Sequence, residues 1–215
     1  MLKSARVPPA FEPLFEKAEQ QVDQLFQRIN RAPEKGTLHV GADRYVLVRA
    51  EGFYVGWLDS MVETFGPEVA RQFIYNSARE IGRSDARSFS ARLGIDDPIA
   101  QLASGPVHFA HAGWAFVDIL DDSVPATDDA YFLHYFHPNT FESEVLKSLH
   151  RTSEQCACLF SSGYSSGWCS NAFGIEVHGR EIRCVARGDD ACEFIMAPAS
   201  RLDEHETRLR AAWTR

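Results

Sequence analysis

The segment 180–195, R-E-I-R-C-V-A-R-G-D-D-A-C-E-F-I, contains two cysteines placed symmetrically about Gly188. This pattern predicts a hairpin that turns at Gly188-Asp189-Asp190 and places Cys184 and Cys192 opposite one another on adjacent strands. Glu181 precedes Cys184 by three residues, so in a regular strand its side chain would point to the other face. We therefore expect a bulge or a similar irregularity between these two residues.

A further cysteine lies upstream, in a segment of small residues with helical spacing. The resulting set of three thiolates and one carboxylate consists of Cys158, Glu181, Cys184 and Cys192. Four such ligands fill the tetrahedral shell of Zn²⁺ and leave no position for a substrate, which indicates a structural metal. The spacing fits buried free thiols equally well, because free cysteine behaves as a small hydrophobe. Disulfides are disfavoured, since the chain has 5 cysteines and its first residues lack an apolar export signal.

Several motifs resemble one family in the same order along the chain. N-T-F-E-S-E at 139–144, C-x4-G-Y-S-S-G at 158–167 and the hairpin segment are similar to the 4-vinyl reductase domain. More narrowly, they resemble the sensor domains of bacterial activators of aromatic catabolism, and G-P-V-H-F-A-H-A-G-W at 105–114 is similar to the segment that lines the effector pocket there. The resemblance implies an α/β (α+β) fold, with an antiparallel sheet flanked by helices and a C-terminal zinc-binding hairpin. It also implies a structural zinc on the four residues above.

The composition agrees with one globular domain. A chain of 215 residues with 45% hydrophobic residues can bury a substantial core. The formal net charge is -8 and the 22 lysines and arginines are scattered, which argues against direct nucleic-acid binding. No stretch approaches the roughly 20 apolar residues of a membrane helix. We therefore expect a cytoplasmic protein.

The chain divides into three predicted parts. Residues 1–36 form a helical segment for which the resemblance implies homodimerisation. Its helix, over residues 14–30, has an apolar stripe formed by Leu14, Ala18, Val22, Leu25 and Ile29, with Phe11, Phe15 and Phe26 beside it. Residues 37–197 form the ligand-binding domain, and residues 198–215 form a linker or output helix. Within the central part we predict a hairpin at 37–48, helices near 53–64, 67–92, 139–150 and 154–172, and strands near 107–119 and 130–137.

The two central strands suggest a ligand pocket. Alternation places Phe109 and His111 on one face of the first strand, and Tyr135 and His137 on one face of the second. Apolar walls with a few convergent polar groups are typical of small-molecule sites, although such residues also occur in ordinary cores. In the phenol-responsive members a histidine and a tryptophan hold the phenolic hydroxyl, and Phe109 and His137 stand at those positions here. A less polar aromatic, an aromatic with a different acceptor, or a tetrapyrrole is therefore an open alternative to phenol.

Two other motifs point to different chemistry. The H-x-x-H pairs His108/His111 and His134/His137 offer ligands for a second metal or for haem, but strand alternation separates the members of each pair. Gly163–Gly167 fits G-x-S-x-G, in which Ser165 would be a nucleophile. The preceding segment lacks a β-branched run and its serines have helical spacing, so we predict a helix and no esterase.

These observations predict a sensor and not an enzyme. A small aromatic or other apolar ligand would occupy the pocket and regulate an output, such as transcription of catabolic genes, through the C-terminal helix. The alternative is a free-standing tetrapyrrole-binding or vinyl-reductase-associated protein. The charged C-terminal segment fits either an excised sensor of a longer regulator or a complete single-domain protein.

Overall fold

The structure is a computed structural model that describes residues 2–213. Within that range the strands are β1 (Ala5–Arg6), β2 (Ile29–Ala32), β3 (Thr37–Val40), β4 (Asp43–Tyr45), β5 (Val117–Ile119), β6 (Leu133–His137), β7 (His178–Arg183) and β8 (Cys192–Ala197). The helices are α1 (Glu12–Phe26), α2 (Ala50–Phe65), α3 (Pro67–Leu93), α4 (Pro98–His111), α5 (Phe141–Ser148), α6 (Leu159–Phe173) and α7 (Leu202–Trp213). None of these helices is long and apolar enough to cross a membrane.

The main sheet has five strands in the order β1-β5-β6-β8-β7. Only β1 and β5 are parallel, and the other neighbours pair antiparallel. Helices α4 and α6 cover one face, whereas α7 covers the other and buries Phe132, Ile195 and Leu202 beneath it. The prediction of a mixed fold, with a mainly antiparallel sheet flanked by helices, is confirmed.

The two faces of β6 follow the alternation expected of a strand. Leu133, Tyr135 and His137 are buried on the side of α4 and α6. The neighbouring Phe132 and His134 point to the opposite side, toward α7. Strand β6 therefore separates the apolar core from the C-terminal helix.

The predicted strand over residues 107–119 is wrong for its first half. Residues Pro98–His111 form α4, whose start is capped by the Asp97 side chain, which accepts a hydrogen bond from Ala100 N at 2.8 Å. Gly105 and Pro106 suggested a helix break, but both lie inside this helix. Gly105 is required there because a Cβ would come within 2.7 Å of the Trp168 indole. Tertiary packing on α6 thus outweighs the local breaking tendency.

The N-terminal segment also differs from its prediction. Helix α1 ends at Phe26, and Ile29 begins a strand that joins β3 and β4 in a separate three-stranded sheet. The predicted apolar stripe exists, but Ala18, Val22 and Leu25 are buried in the chain's own core, where α1 packs against α4. The stripe is therefore not an exposed dimerisation surface.

Glycines allow α3 and α6 to pack backbone to backbone. A Cβ at Gly163 or Gly167 would overlap the carbonyl groups of Tyr75 and Arg79 on α3, and a Cβ at Gly82 would overlap the carbonyl group of Tyr164. The sequence predicted that the small residues pack on the sheet. The serine side does so, since Ser166 Oγ donates a hydrogen bond to Val177 O at 2.7 Å. The glycine side instead faces α3.

Candidate metal centre and ligand cavity

The four predicted metal ligands meet at one end of the main sheet. Cys158 is the residue before α6, Glu181 lies in β7, Cys184 follows that strand, and Cys192 begins β8. Their ligand atoms all lie within 4.8 Å of one another. The β7–β8 pairing shifts register between Glu181 and Arg183, as the three-residue spacing predicted. The structure therefore brings together all four residues.

The turn between β7 and β8 is wider than a two-residue hairpin. After Cys184 the chain makes one 3₁₀ turn at Val185–Arg187, and Gly188 then adopts a φ of 99°. This left-handed conformation favours glycine. Asp189 fixes the turn because its carboxylate accepts hydrogen bonds from Cys184 N at 2.7 Å and from Arg187 Nε at 2.9 Å.

Backbone amides surround the ligand atoms. Cys158 N donates to Glu181 Oε2 at 2.8 Å, Ala157 N lies 3.4 Å from the sulfur of Cys184, and Val185 N lies 3.4 Å from the sulfur of Cys192. Such donors stabilise negative charge on thiolate and carboxylate ligands. The centre is thus built to hold anionic groups in a buried place.

The electrostatics of the cluster favour a cation. Burial raises the pKa of Cys158 and of Glu181 well above their usual values. Hydrogen bonds from the Cys158 and Cys192 thiols hold the pKa of Cys184 at about 2. One anion is therefore shared among the groups, because like charges at this separation cannot all form in a buried site. A divalent cation would allow all four groups to ionise.

The geometry also fits tetrahedral zinc. Sulfurs bonded to zinc at about 2.3 Å lie roughly 3.8 Å apart across a tetrahedral edge. The sulfurs of Cys158 and Cys192 are 3.7 Å apart. In addition, Glu181 Oε1 is buried without a hydrogen-bond partner. The donor set leaves this oxygen free to complete a metal shell.

Glu142 is a site residue to which the sequence analysis assigned no role. It lies in the N-T-F-E segment and accepts hydrogen bonds from Phe160 N at 2.7 Å, from Ser161 N at 3.1 Å and from Ser161 Oγ. These bonds cap the first turn of α6, directly after Cys158. Burial raises the pKa of Glu142 to about 7. The signal was present in the motif, but only the fold shows that Glu142 supports the helix that carries a ligand.

A small apolar cavity lies between the sheet and the two helices on its inner face. Its volume is about 40 Å³. It is lined by Leu102, Gly105, Pro106, Phe109, Val117, Ile119, Leu133, Tyr135, Tyr164, Ser165, Trp168, Cys169 and Met196. A cavity of about 150 Å³ accommodates benzene. An aromatic ligand would therefore require the aromatic walls to move.

The four predicted pocket residues are divided between two places. Phe109 and Tyr135 line the cavity, and the ring of His137 lies behind them at centroid distances of 5.7 and 5.1 Å. His111 is not brought to this cavity, because a helix turns by about 100° per residue and so directs it away from Phe109. It contacts Phe26 of α1 instead, at a centroid distance of 5.1 Å.

Two polar atoms beside the cavity are buried without partners. His137 Nδ1 lies 2.9 Å from Phe116 O, so Nδ1 carries the proton and Nε2 is an acceptor. Neither His137 Nε2 nor the Tyr135 hydroxyl has a hydrogen-bond partner, although the Ser165 side chain is close enough to Tyr135 to offset part of the rise that burial causes in its pKa. Burial lowers the pKa of His137 to about 4, which keeps the ring neutral. Unpaired buried polar groups are costly, so this pair requires an explanation.

The remaining histidines of the H-x-x-H pairs lie in separate environments. His108 is hydrogen-bonded to Tyr45 and Tyr164, whereas His134 lies on the outer face of the sheet between Asp122 and Glu193. The second-metal and haem alternatives therefore have no assembled ligand set among the described residues. Ser165 lies on α6, as the prediction of a helix required.

Comparisons with known proteins agree with this architecture. A family model for the 4-vinyl reductase domain matches residues 138–198. The chain contains a 4-vinyl reductase domain. A model described as activator of aromatic catabolism matches residues 24–122. The 4-vinyl reductase domain includes all four residues of the metal cluster and Glu142, while the preceding region supplies Phe109 and the rest of α4.

Individual relatives point the same way. The phenol regulator MopR of Acinetobacter guillouiae is 25% identical over 191 residues, which are 88% of this chain and 34% of that protein. The chain thus spans about a third of its relative. The phenol-responsive sensory domain of the transcription activator PoxR, solved with phenol, matches with a TM-score of 0.74 at 21% identity, over 89% of this chain and 94% of that one. This match shows the fold. A vinyl-4-reductase family protein from Methanocaldococcus jannaschii matches with a TM-score of 0.44, at 14% identity over 88% of this chain and 95% of that one.

Proposed function

We propose that this protein is a ligand-sensing domain that binds a small aromatic compound in the cavity between α4, α6 and the sheet. The observation that carries the proposal is the pair of unpartnered buried groups, Tyr135 OH and His137 Nε2, beside an apolar cavity. A ligand with one polar substituent would satisfy them while its ring replaces aromatic packing. The relation to a phenol regulator and to a phenol-responsive domain supports the same class of ligand.

The ligand is an aromatic ring that donates a hydrogen bond. Neutral His137 has its free lone pair on Nε2, so this atom accepts a proton from the ligand. Tyr135 OH can donate to the same substituent. Phe109 supplies an apolar wall in place of the polar group that the resemblance places there. A tetrapyrrole, the alternative from the sequence, is far larger than the cavity of about 40 Å³ and is not favoured.

Calorimetric titration of His137→Phe tests this assignment. Phenols should bind roughly tenfold more weakly to the variant, since a neutral hydrogen bond contributes about 1 kcal/mol and each 1.4 kcal/mol is a factor of ten. Toluene should bind equally well to both proteins. Phe109→Leu is the matched control, because it alters the apolar wall and should affect both ligands alike. Equal losses for both ligands in His137→Phe would contradict the proposed role of His137.

We further propose that zinc occupies the Cys158, Glu181, Cys184 and Cys192 cluster as a structural cofactor. Four protein ligands leave it no reactive position, so the ion would hold β7, β8 and the start of α6 together. The chain itself would bind and signal without catalysis. Strand β6 would transmit occupancy, because its inner face lines the cavity and its outer Phe132 stacks on His205 of α7 at 4.1 Å. The output of α7 would be transcription of genes for aromatic catabolism.

A further inference from the structure

A second, larger cleft lies between the N-terminal sheet and the end of α4. Its volume is about 290 Å³, against about 40 Å³ for the inner cavity. Aromatic side chains dominate its walls, and they are Phe26, Tyr45, Phe53, Trp114 and Phe141. The polar lining groups are few, and they include Asp85, His108 and His111. Cavities of this size with a few converging polar groups are typical ligand sites.

Asp85 is the unusual member of this lining. It lies on α3 and accepts a hydrogen bond from Tyr164 OH at 2.8 Å through Oδ2. Among the residues that the structure describes, none donates a hydrogen bond to Oδ1 and none forms an ion pair with Asp85. The nearby Arg92 pairs with Asp43 instead. The region therefore holds two carboxylates for one paired guanidinium.

A chain of hydrogen bonds directs further donors toward this carboxylate. With Asp85 ionised, Tyr164 gives it its only hydroxyl proton and must accept from His108 Nδ1, which lies 3.1 Å away. His108 Nε2 is then left to accept from Tyr45 OH at 3.3 Å. Burial lowers the pKa of His108 to about 4, so the ring stays neutral and supplies no countercharge. Three dipoles thus stabilise the charge on Asp85, but no cation neutralises it.

The other charged residue in the lining does not fill this role. Arg31 lies on the edge strand β2, where its side chain is exposed to solvent. Burial and the charge of Asp43 raise the pKa of Asp85, as expected for a carboxylate that lacks a cationic neighbour. A partly buried carboxylate beside several aromatic faces is a favourable environment for an organic cation, because the ring faces attract cations as well.

We propose that this cleft binds a protonated aromatic amine, with Asp85 as the counter-ion and Trp114, Phe53 and Tyr45 around the ligand. The site is separate from the inner cavity and is independent of the function proposed for it. The two share one residue, since Tyr164 lines the inner cavity and donates to Asp85. An amine on Asp85 would therefore contact the wall behind which the sensed ligand binds.

Calorimetric titration with two probes of similar shape tests the site. Phenethylamine is protonated at pH 7.5, and phenethyl alcohol is its neutral counterpart. The amine should bind saturably to the full chain, and Asp85→Asn should weaken it at least tenfold while changing the alcohol less than twofold. Asparagine can still accept from Tyr164, so the fold is retained. Asp96→Asn, at an exposed position after α3, is the matched control and should bind both probes like the wild type.

Two further results separate this site from the inner cavity. Trp114→Ala should weaken both probes, because it removes part of the aromatic wall, whereas Phe109→Leu should leave amine binding unchanged. Absence of saturable amine binding to the wild type would overturn the proposal. So would an equal loss of amine and alcohol in Asp85→Asn, or loss of amine binding in Phe109→Leu.

Discussion

His134 is held between two carboxylates on the outer face of the sheet. Its Nε2 lies 2.7 Å from Glu193 Oε1 and its Nδ1 lies 2.9 Å from Asp122 Oδ1. Burial alone would lower the pKa of His134, but the hydrogen bonds and charges of these partners outweigh burial and raise it. The charged form is therefore favoured in the folded state. Glu193 is bonded in turn to Arg183, and Asp122 lies 3.7 Å from Arg208 of α7.

This arrangement predicts a pH-dependent contribution to stability. Because the folded pKa is above the unfolded value, the contribution is complete below about pH 6.5 and is lost as pH rises through the folded pKa. The free energy of unfolding of the wild type relative to His134→Gln should thus fall between pH 6 and pH 8.5 in urea titrations. His205→Gln is the control, since burial lowers the pKa of His205 and the sign reverses. A pH-independent difference for His134→Gln would contradict the prediction.

At the scale of single elements, the metal hairpin should depend on its ion. Structural zinc binds with apparent free energies of about 10–16 kcal/mol, which is comparable with the stability of a whole domain. Cys184→Ser or Cys192→Ser should therefore give insoluble or partly unfolded protein. Cys156→Ser removes a cysteine outside the ligand set and should fold normally with one zinc per chain. Metal analysis checks both, and well-folded wild-type protein without zinc would refute the assignment.

The close contact of α3 and α6 makes a second prediction about elements. Gly167→Ala places a Cβ against the Arg79 carbonyl group, so the two helices must separate. We expect a loss of about 3 kcal/mol or more in chemical denaturation. Ser165→Ala, on the same helix, faces the cavity instead and should retain the fold. Labelling of Ser165 by a fluorophosphonate probe would contradict its assignment as a non-catalytic residue.

Local patterns predicted those parts of the fold whose signals agree with their packing. Alternation gave both faces of β6, Pro67 marked the start of α3, and cysteine spacing gave the metal cluster with its bulge. The errors have one cause, which is tertiary contact. Gly105 and Pro106 are tolerated inside α4 because α6 packs on them, and this moved His111 away from the cavity. Asp85 has no local signal at all, since only the packing of α3 against α4 and β4 makes it a cleft residue.

The whole molecule has an exposed apolar surface that its own chain does not cover. Val46 and Leu47 are 74% and 84% exposed, directly after the edge strand β4. Edge strands followed by exposed apolar residues favour pairing with another chain. The buried stripe of α1 cannot serve this purpose, so we place the proposed homodimer interface at residues 46–48. Deleting the N-terminal helix would expose the core and is no longer a clean test.

Leu47→Asp should therefore convert a dimer into a monomer in sedimentation experiments, because a charge at the centre of an apolar interface remains unpaired when buried. Phe73→Asp is the matched control, since Phe73 is 47% exposed in a different apolar patch on α3 and should leave the dimer intact. The reverse result would move the interface to α3. A wild-type protein that sediments as a monomer at micromolar concentration would refute the dimer itself, and the exposed residues beside β4 would then need a different partner.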